Sequence, residues 1–292
     1  MVPATTLALT DGRTLAYDDV GDPAGLPVLY VHGTPDSRRA RHPDDELATA
    51  AGVRLVAIDR PGFGGSSPHP AGTLGSFADD AVALADHLGI DRWRPFAWSG
   101  GATYAVAVAA RHPRRTARVA VAAGLVPFEA YATEGILDDA DGGRHLVAEL
   151  GAEVGPEGLA EMAAPMLVPY PCDEALALEH VTEQLTPDRR AVVDAIPGAV
   201  EALAAGVFDS VAQGLGGITR DLELQVLAPD VDWTAATVPV DLWYGSQDAT
   251  APPAFGEWWA EALPDATLHV FPTEGHLIAL TRWAAILEAL AG

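Results

Sequence analysis

The 292-residue sequence predicts an α/β protein, with a mostly parallel central β-sheet flanked by helices and an inserted helical cap. Three observations lead there. Short apolar, β-branched runs such as "PVLYV" (27–31), "VRLVAI" (53–58) and "PVDLWY" (239–244) alternate with helix-length segments. Runs this uniformly apolar suit strands buried on both faces, as in parallel sheets. The alternation then stops over residues 125–235, where "EGLAEMAAPML", "DEALALEHVTEQL" and "AVEALAAGVFDSVAQGL" read as successive helices with no clear strand between them. The predicted division is therefore a core of residues 1–124 and 236–292, with residues 125–235 as a helical lid.

The elements follow in order. Residues 5–9 and 13–20 read as two strands joined by an Asp11-Gly12 turn, a strong hairpin signal that sets antiparallel strands at one edge of the sheet. The strand 27–31 ends at His32-Gly33 and a polar helix is expected over about 37–51. After the strand 53–58 comes the loop "DRPGFGGSS", then a helix from about 74 to 88. Residues 93–98 form a further strand, "GATYAVAVAARHP" an apolar helix closed by Pro113, and 117–123 another strand. Beyond the lid, strands at 239–244 and 267–271 enclose a helix of about 254–263, and a last helix begins near 279.

Composition excludes several classes of function. The formal net charge is −24, the opposite of what phosphate backbones or anionic membrane surfaces attract, so neither nucleic acid nor membrane is an expected partner. All basic residues are arginines, which removes lysine Schiff-base chemistry and the Gly-Lys-Ser/Thr phosphate loop. No asparagine exists to carry an N-linked glycan. Cys172, the single cysteine, sits in "VPYPCDE" and reads as filling space. "MVPATTLALTDGRT" lacks the basic start and apolar run of a signal peptide, and no stretch approaches the roughly 20 apolar residues of a membrane helix, so a cytoplasmic protein is expected. A small-molecule substrate is the expected partner, and a homodimer is compatible with the sequence.

In an open α/β sheet, reacting groups stand beyond the carboxyl ends of the strands. The residues found there are His32-Gly33-Thr34-Pro35, Asp59 to Ser66, Ser99-Gly100-Gly101, Asp248, and Glu274-Gly275-His276. A serine, an aspartate and a histidine thus occupy three strand ends in that order. A serine hydroxyl needs an adjacent base to become a nucleophile, histidine supplies one near neutral pH, and a buried carboxylate fixes the imidazole tautomer. Ser99 lies in "FAWSGG", close to the G-x-S-x-G pattern of a strand that turns sharply into a helix, with Ala97 in place of the first glycine. Pro95 is unexpected in a central strand, because it cannot donate to the ladder. His32 is expected to order its loop by hydrogen bonding and His269 to be packed within a strand.

With these motifs in this order, the chain resembles the α/β-hydrolase fold superfamily over essentially its whole length, including a capped insertion. The resemblance implies Ser99 as nucleophile, His276 as base and Asp248 as acid, with no cofactor and no metal. It implies the backbone N–H groups of Thr34 and Gly100 as oxyanion donors, to which the Thr34 hydroxyl is a candidate third. "DRPGFGGSS" becomes a tight loop at the pocket wall. Trp98, Phe128, Met162 and Met166 are candidate substrate-binding residues, as are Tyr131, Tyr170 and Phe208 from the lid. The expected reaction is hydrolysis of a carboxylic ester through an acyl-enzyme. Amide, lactone, thioester or carbon–carbon cleavage, a cofactor-free lyase or cyclase, and a non-catalytic receptor for a small ligand share the same residues.

Overall fold

The structure, a computed structural model, describes residues 4–166 and 173–292, with side chains described outside 163–172. Eight strands, β1 (Thr5–Ala8), β2 (Thr14–Gly21), β3 (Leu26–Val31), β4 (Val53–Ile58), β5 (Arg94–Trp98), β6 (Val119–Ala122), β7 (Val240–Gly245) and β8 (Ala266–Phe271), form one sheet in the order β1-β2-β4-β3-β5-β6-β7-β8. The hairpin β1–β2 joins antiparallel and every pairing from β4–β3 onward is parallel.

The helices that cover the sheet are α1 (Glu46–Ala50), α2 (Leu74–His87), α3 (Ala102–Arg111), α9 (Pro253–Ala262), α10 (Ile278–Thr281) and α11 (Trp283–Ala291). Between β6 and β7 lie α4 (Gly142–Met166), α5 (Glu174–Gln184), α6 (Pro187–Ala195), α7 (Ala199–Val211) and α8 (Gly216–Val226), with no strand among the described residues. Among those residues no single helix is long and apolar enough to cross a membrane.

The central strands are buried because both faces are covered. Val28, Leu29, Tyr30 and Val31 of β3 are fully enclosed, and so are Phe96 and Ala97 of β5. Tyr30, Phe96 and Trp283 meet edge to face or tilted, with ring centroids 4.9–5.4 Å apart, and lock α11 onto the sheet. Such aromatic contacts add about 0.5–1.5 kcal/mol each beyond the area they bury.

Pro95 sits in the centre of the sheet without breaking it. It pairs with Leu29 of β3, while the ladder to β6 begins one residue later at Phe96, so no N–H is needed from residue 95 on that side.

One helix is much shorter than expected. Only Glu46–Ala50 of the 37–51 stretch is helical. Pro43 interrupts the segment, and its arginines are drawn inward and sideways instead. Arg38 binds Asp59 and Asp18, and Arg41 binds Asp18 and Asp45. These ion pairs hold an irregular loop against the core where a helical face would have left the charges in water.

Candidate active site

The parallel strands point their carboxyl ends at one edge, and the loops there converge. Ser99 follows β5 directly with φ of 53°, a left-handed conformation that L-residues seldom adopt. Its backbone oxygen accepts from Leu125 N–H at 3.0 Å, which braces the turn. The turn also needs bare neighbours. A Cβ at Gly101 would lie 2.5 Å from the Val31 carbonyl oxygen and 2.7 Å from that of His32, while one at Gly100 would lie 2.7 Å from Thr34 Oγ1. Ala97 stands within the strand proper, upstream of these crowded positions, so its methyl group is accommodated.

The three strand-end residues meet. His276 Nε2 is 3.1 Å from Ser99 Oγ, and His276 Nδ1 is 2.8 Å from Asp248 Oδ2. The other carboxylate oxygen of Asp248 accepts from the N–H groups of Thr250 (2.9 Å) and Ala251 (3.0 Å). Ser99 and Asp248 are buried. The indole N–H of Trp98 donates to the His276 carbonyl oxygen at 2.9 Å and steadies the histidine loop.

His32 orders its loop. Nδ1 lies 2.8 Å from the Gly33 carbonyl oxygen and Nε2 accepts the Arg60 N–H at 3.1 Å, a pattern that fits a neutral ring protonated on Nδ1. Burial, with the Arg60 charge adding to it, holds its pKa well below the ordinary histidine value. His269 in β8 sits against Trp243, 3.3 Å from Asp241.

The Thr34 hydroxyl is not a spare oxyanion donor. It donates to Asp221 Oδ2 from α8 and accepts from Arg60 Nη2 at 2.8 Å, so its one proton is committed. Arg60 is fully buried and makes a bidentate ion pair with Asp221, donates to the Gly33 carbonyl oxygen at 2.9 Å, and lies over the Phe63 and Tyr104 rings. Tyr104 O–H donates to Asp221 at 2.7 Å, and burial followed by the Asp221 charge raises its pKa well above the ordinary tyrosine value. Arg60, Tyr104 and Asp221 escaped the sequence reading. Arg60 lies within "DRPGFGGSS" at a strand end, so only its role was missed, whereas nothing in "ITRDLELQ" marks Asp221 for burial.

One cavity opens on Ser99 and a second lies near the site. A cleft of about 280 Å³ is lined by Thr34, Asp36, Trp98, Ser99, His276 and residues of α5, α6 and α7. A smaller, mostly apolar chamber of about 110 Å³ is lined by Val126, Phe128, Tyr131, Leu159, Leu222 and Gln225. Gln225 links it to the site, because its amide nitrogen is 3.5 Å from where a Cβ of Gly100 would be. Trp98 therefore lines the Ser99 cleft, and Phe128 and Tyr131 the neighbouring chamber. Met162 and Phe208 line neither of the two, for the facing helices present Leu159 to the chamber and Leu203 and Val207 to the cleft. Met166, Tyr170 and Cys172 have side chains outside the described residues.

Asp36 is the other residue the sequence reading passed over. It stands one position beyond the His32–Pro35 stretch, and it enters the cleft. Burial pushes its pKa up to about 8, with Arg60 opposing the rise.

Comparison with known proteins agrees with this fold. The pattern of the "alpha/beta hydrolase fold" family matches residues 27–145. A pimeloyl-[acyl-carrier protein] methyl ester esterase from Chromobacterium violaceum is 30% identical across 95% of this chain and 96% of its own length. The chain belongs to the α/β-hydrolase family. A proline iminopeptidase from Xylella fastidiosa is 37% identical over 119 residues, 38% of this chain and 36% of its own length, so the chain aligns with only about a third of that relative. Among solved structures, a bromoperoxidase from Bacillus anthracis superposes with a TM-score of 0.70 at 20% identity, covering 99% of this chain and 98% of its own, a likeness of fold.

Proposed function

We propose that the protein hydrolyses a carboxylic ester of a small molecule through a covalent acyl-enzyme on Ser99. The observation that carries this reading is the hydrogen-bonded series from Ser99 Oγ through His276 to Asp248, with distances of 3.1 and 2.8 Å, set on a left-handed turn at a strand end. Ser99 Oγ attacks the ester carbonyl carbon while His276 Nε2 takes the hydroxyl proton. The oxyanion is held by the N–H groups of Thr34 and Gly100, each such donor being worth about 2.7–4 kcal/mol in the transition state. His276 returns the proton to the leaving alkoxide oxygen as the carbon–oxygen bond breaks. A water then attacks the acyl carbon, giving its proton to His276 and regenerating Ser99 as the acid departs. Asp248 holds the imidazole tautomer and stabilises the imidazolium throughout.

The helices between β6 and β7 act as a cap, with the apolar chamber taking the hydrocarbon part of the substrate. An ester is favoured over an amide because the relative matched along the full chain is an esterase, whereas the peptidase matches cover about a third of those proteins. The test is hydrolysis of p-nitrophenyl butyrate by the wild type and by Ser99→Ala. A loss of roughly 10⁴–10⁶-fold is expected, and full activity in the variant ends the proposal.

A further inference from the structure

We infer that Asp36 selects substrates carrying a protonated amine close to the scissile carbonyl; this rests on the esterase reading above and names its substrate class. Asp36 Oδ2 and Ser99 Cβ both lie within 3.3 Å of a single point, the place a Cβ of Gly33 would take. The carboxyl group is therefore in the immediate surroundings of the nucleophile, and it lines the same cleft as Trp98, Ser99 and His276.

The second observation is that Asp36 has no partner. Among the described residues no side chain or backbone N–H donates to its carboxyl group, whereas three neighbouring carboxylates have donors. Asp59 binds Arg38, Asp221 binds Arg60, and Asp248 binds His276 and two N–H groups. Cations near the cleft are committed elsewhere, Arg60 to Asp221 and Arg189 to the Thr250 hydroxyl at 3.1 Å. Asp36 is half-buried and faces the cleft, so a donor carried by the substrate can reach it.

The third observation is the shape around it. Gly206 of α7 faces Asp36 with no side chain, and a Cβ there would lie 2.9 Å from Oδ1. The carboxyl group thus packs against bare backbone at Gly33 and Gly206, and it also lines the cleft that holds Ser99. The ligand's charge follows from the acceptor and from the whole molecule. The empty carboxyl group is largely neutral below about pH 8, but an arriving ammonium favours its ionised form and is then held by a charge-assisted hydrogen bond, while a formal net charge of −24 attracts cations and repels anions at long range. An α- or β-amino group on the acyl part places the ammonium nitrogen two or three bonds from the carbonyl carbon, a reach in keeping with Asp36 Oδ2 and Ser99 Cβ both lying within 3.3 Å of one point.

The test uses an isosteric pair, methyl L-alaninate and methyl isobutyrate, which differ by an ammonium in place of a methyl. The kcat/KM ratio of the two esters is measured at about pH 7 for the wild type and for Asp36→Asn. Because the readout is a ratio, a variant that folds less well still reports. The wild type is expected to favour the ammonium ester, and Asp36→Asn to lower that preference by about 10- to 100-fold, the range of one charge-assisted hydrogen bond. A ratio unchanged within twofold, or a wild type that favours isobutyrate, overturns the inference and leaves the esterase reading standing if Ser99-dependent hydrolysis of p-nitrophenyl butyrate persists. If that hydrolysis is absent as well, both fall.

Discussion

Replacing Asp248 by asparagine isolates one step of the proposed chemistry, because the surroundings dictate which way the amide faces. Asp248 Oδ1 accepts from the N–H groups of Thr250 and Ala251, while Oδ2 faces His276 Nδ1 at 2.8 Å. Two donors can be met only by the amide oxygen, so the amide NH₂ replaces Oδ2. An NH₂ donates, which obliges Nδ1 to accept and moves the ring proton to Nε2. The Nε2–H then points at Ser99 Oγ, 3.1 Å away, and cannot take its proton. The flipped amide would oppose NH₂ to two N–H groups. At about 1–3 kcal/mol for each lost buried bond, it is populated to a few per cent at most. The expected loss in kcat is about 10⁴-fold, or about 5.5 kcal/mol of transition-state stabilisation. The assay is steady-state hydrolysis of p-nitrophenyl butyrate, with thermal unfolding alongside to show that the isosteric change leaves the fold intact. A loss smaller than tenfold in a folded variant would refute the tautomer argument and with it the role given to Asp248.

Two further outcomes follow from the buried carboxyl groups. Asp221→Asn removes the counter-charge of fully buried Arg60 and should lower stability by about 3–5 kcal/mol, read from the midpoint of denaturant unfolding; a loss under about 1 kcal/mol would show that Arg60 is not sustained by this pair. Asp36 keeps its proton in the folded state up to about pH 8 but loses it near 3.8 when unfolded, so the native state binds more protons between those values and its stability falls as pH rises through them. Asp36→Asn should therefore stabilise the protein increasingly from about pH 4 to a plateau above about 8, by no more than about 6 kcal/mol and less for the solvent on its open side; melting curves across pH that run parallel for the two proteins would contradict this.

The sheet was legible in the sequence because its central strands are buried on both faces, which leaves unbroken apolar runs such as "VRLVAI". The strand-end rule then led to Ser99, Asp248 and His276 without any contact information. The failures share one cause. In 37–51 the polar pattern suggested a solvated helix, yet Arg38 is buried against Asp59 from another strand end, a contact no local pattern encodes. Asp221 lies mid-helix among Arg220, Glu223 and Gln225, a spacing that reads as a solvated face, and only the docking of α8 onto the loop after β4 buries it. Asp36 missed attention by one residue. The rule that found Thr34 extends to it, but nothing in one dimension says that its carboxyl group would find no donor.

The contrast between Asp221 and Asp36 argues that the site holds one carboxylate fully paired and leaves another carboxyl group without a donor from the protein. Asp36 lies on the loop that carries Thr34 and is half-buried, whereas Asp221 reaches that loop from α8 and is fully buried. Asp221 is met by Arg60, Tyr104 and Thr34, so every lone pair it exposes is used, and the cost of burying it is offset. Those bonds also join α8 to the residue whose N–H is proposed to hold the oxyanion, which ties the placement of Thr34 to the seating of the cap. Asp36, two residues along the same loop, has none of these partners and is driven towards its neutral form. A fold that satisfies one buried carboxylate so fully has the arginines to satisfy a second. That Asp36, packed against Gly206 and near Ser99, receives no donor from the protein is understandable if the missing donor belongs to the substrate.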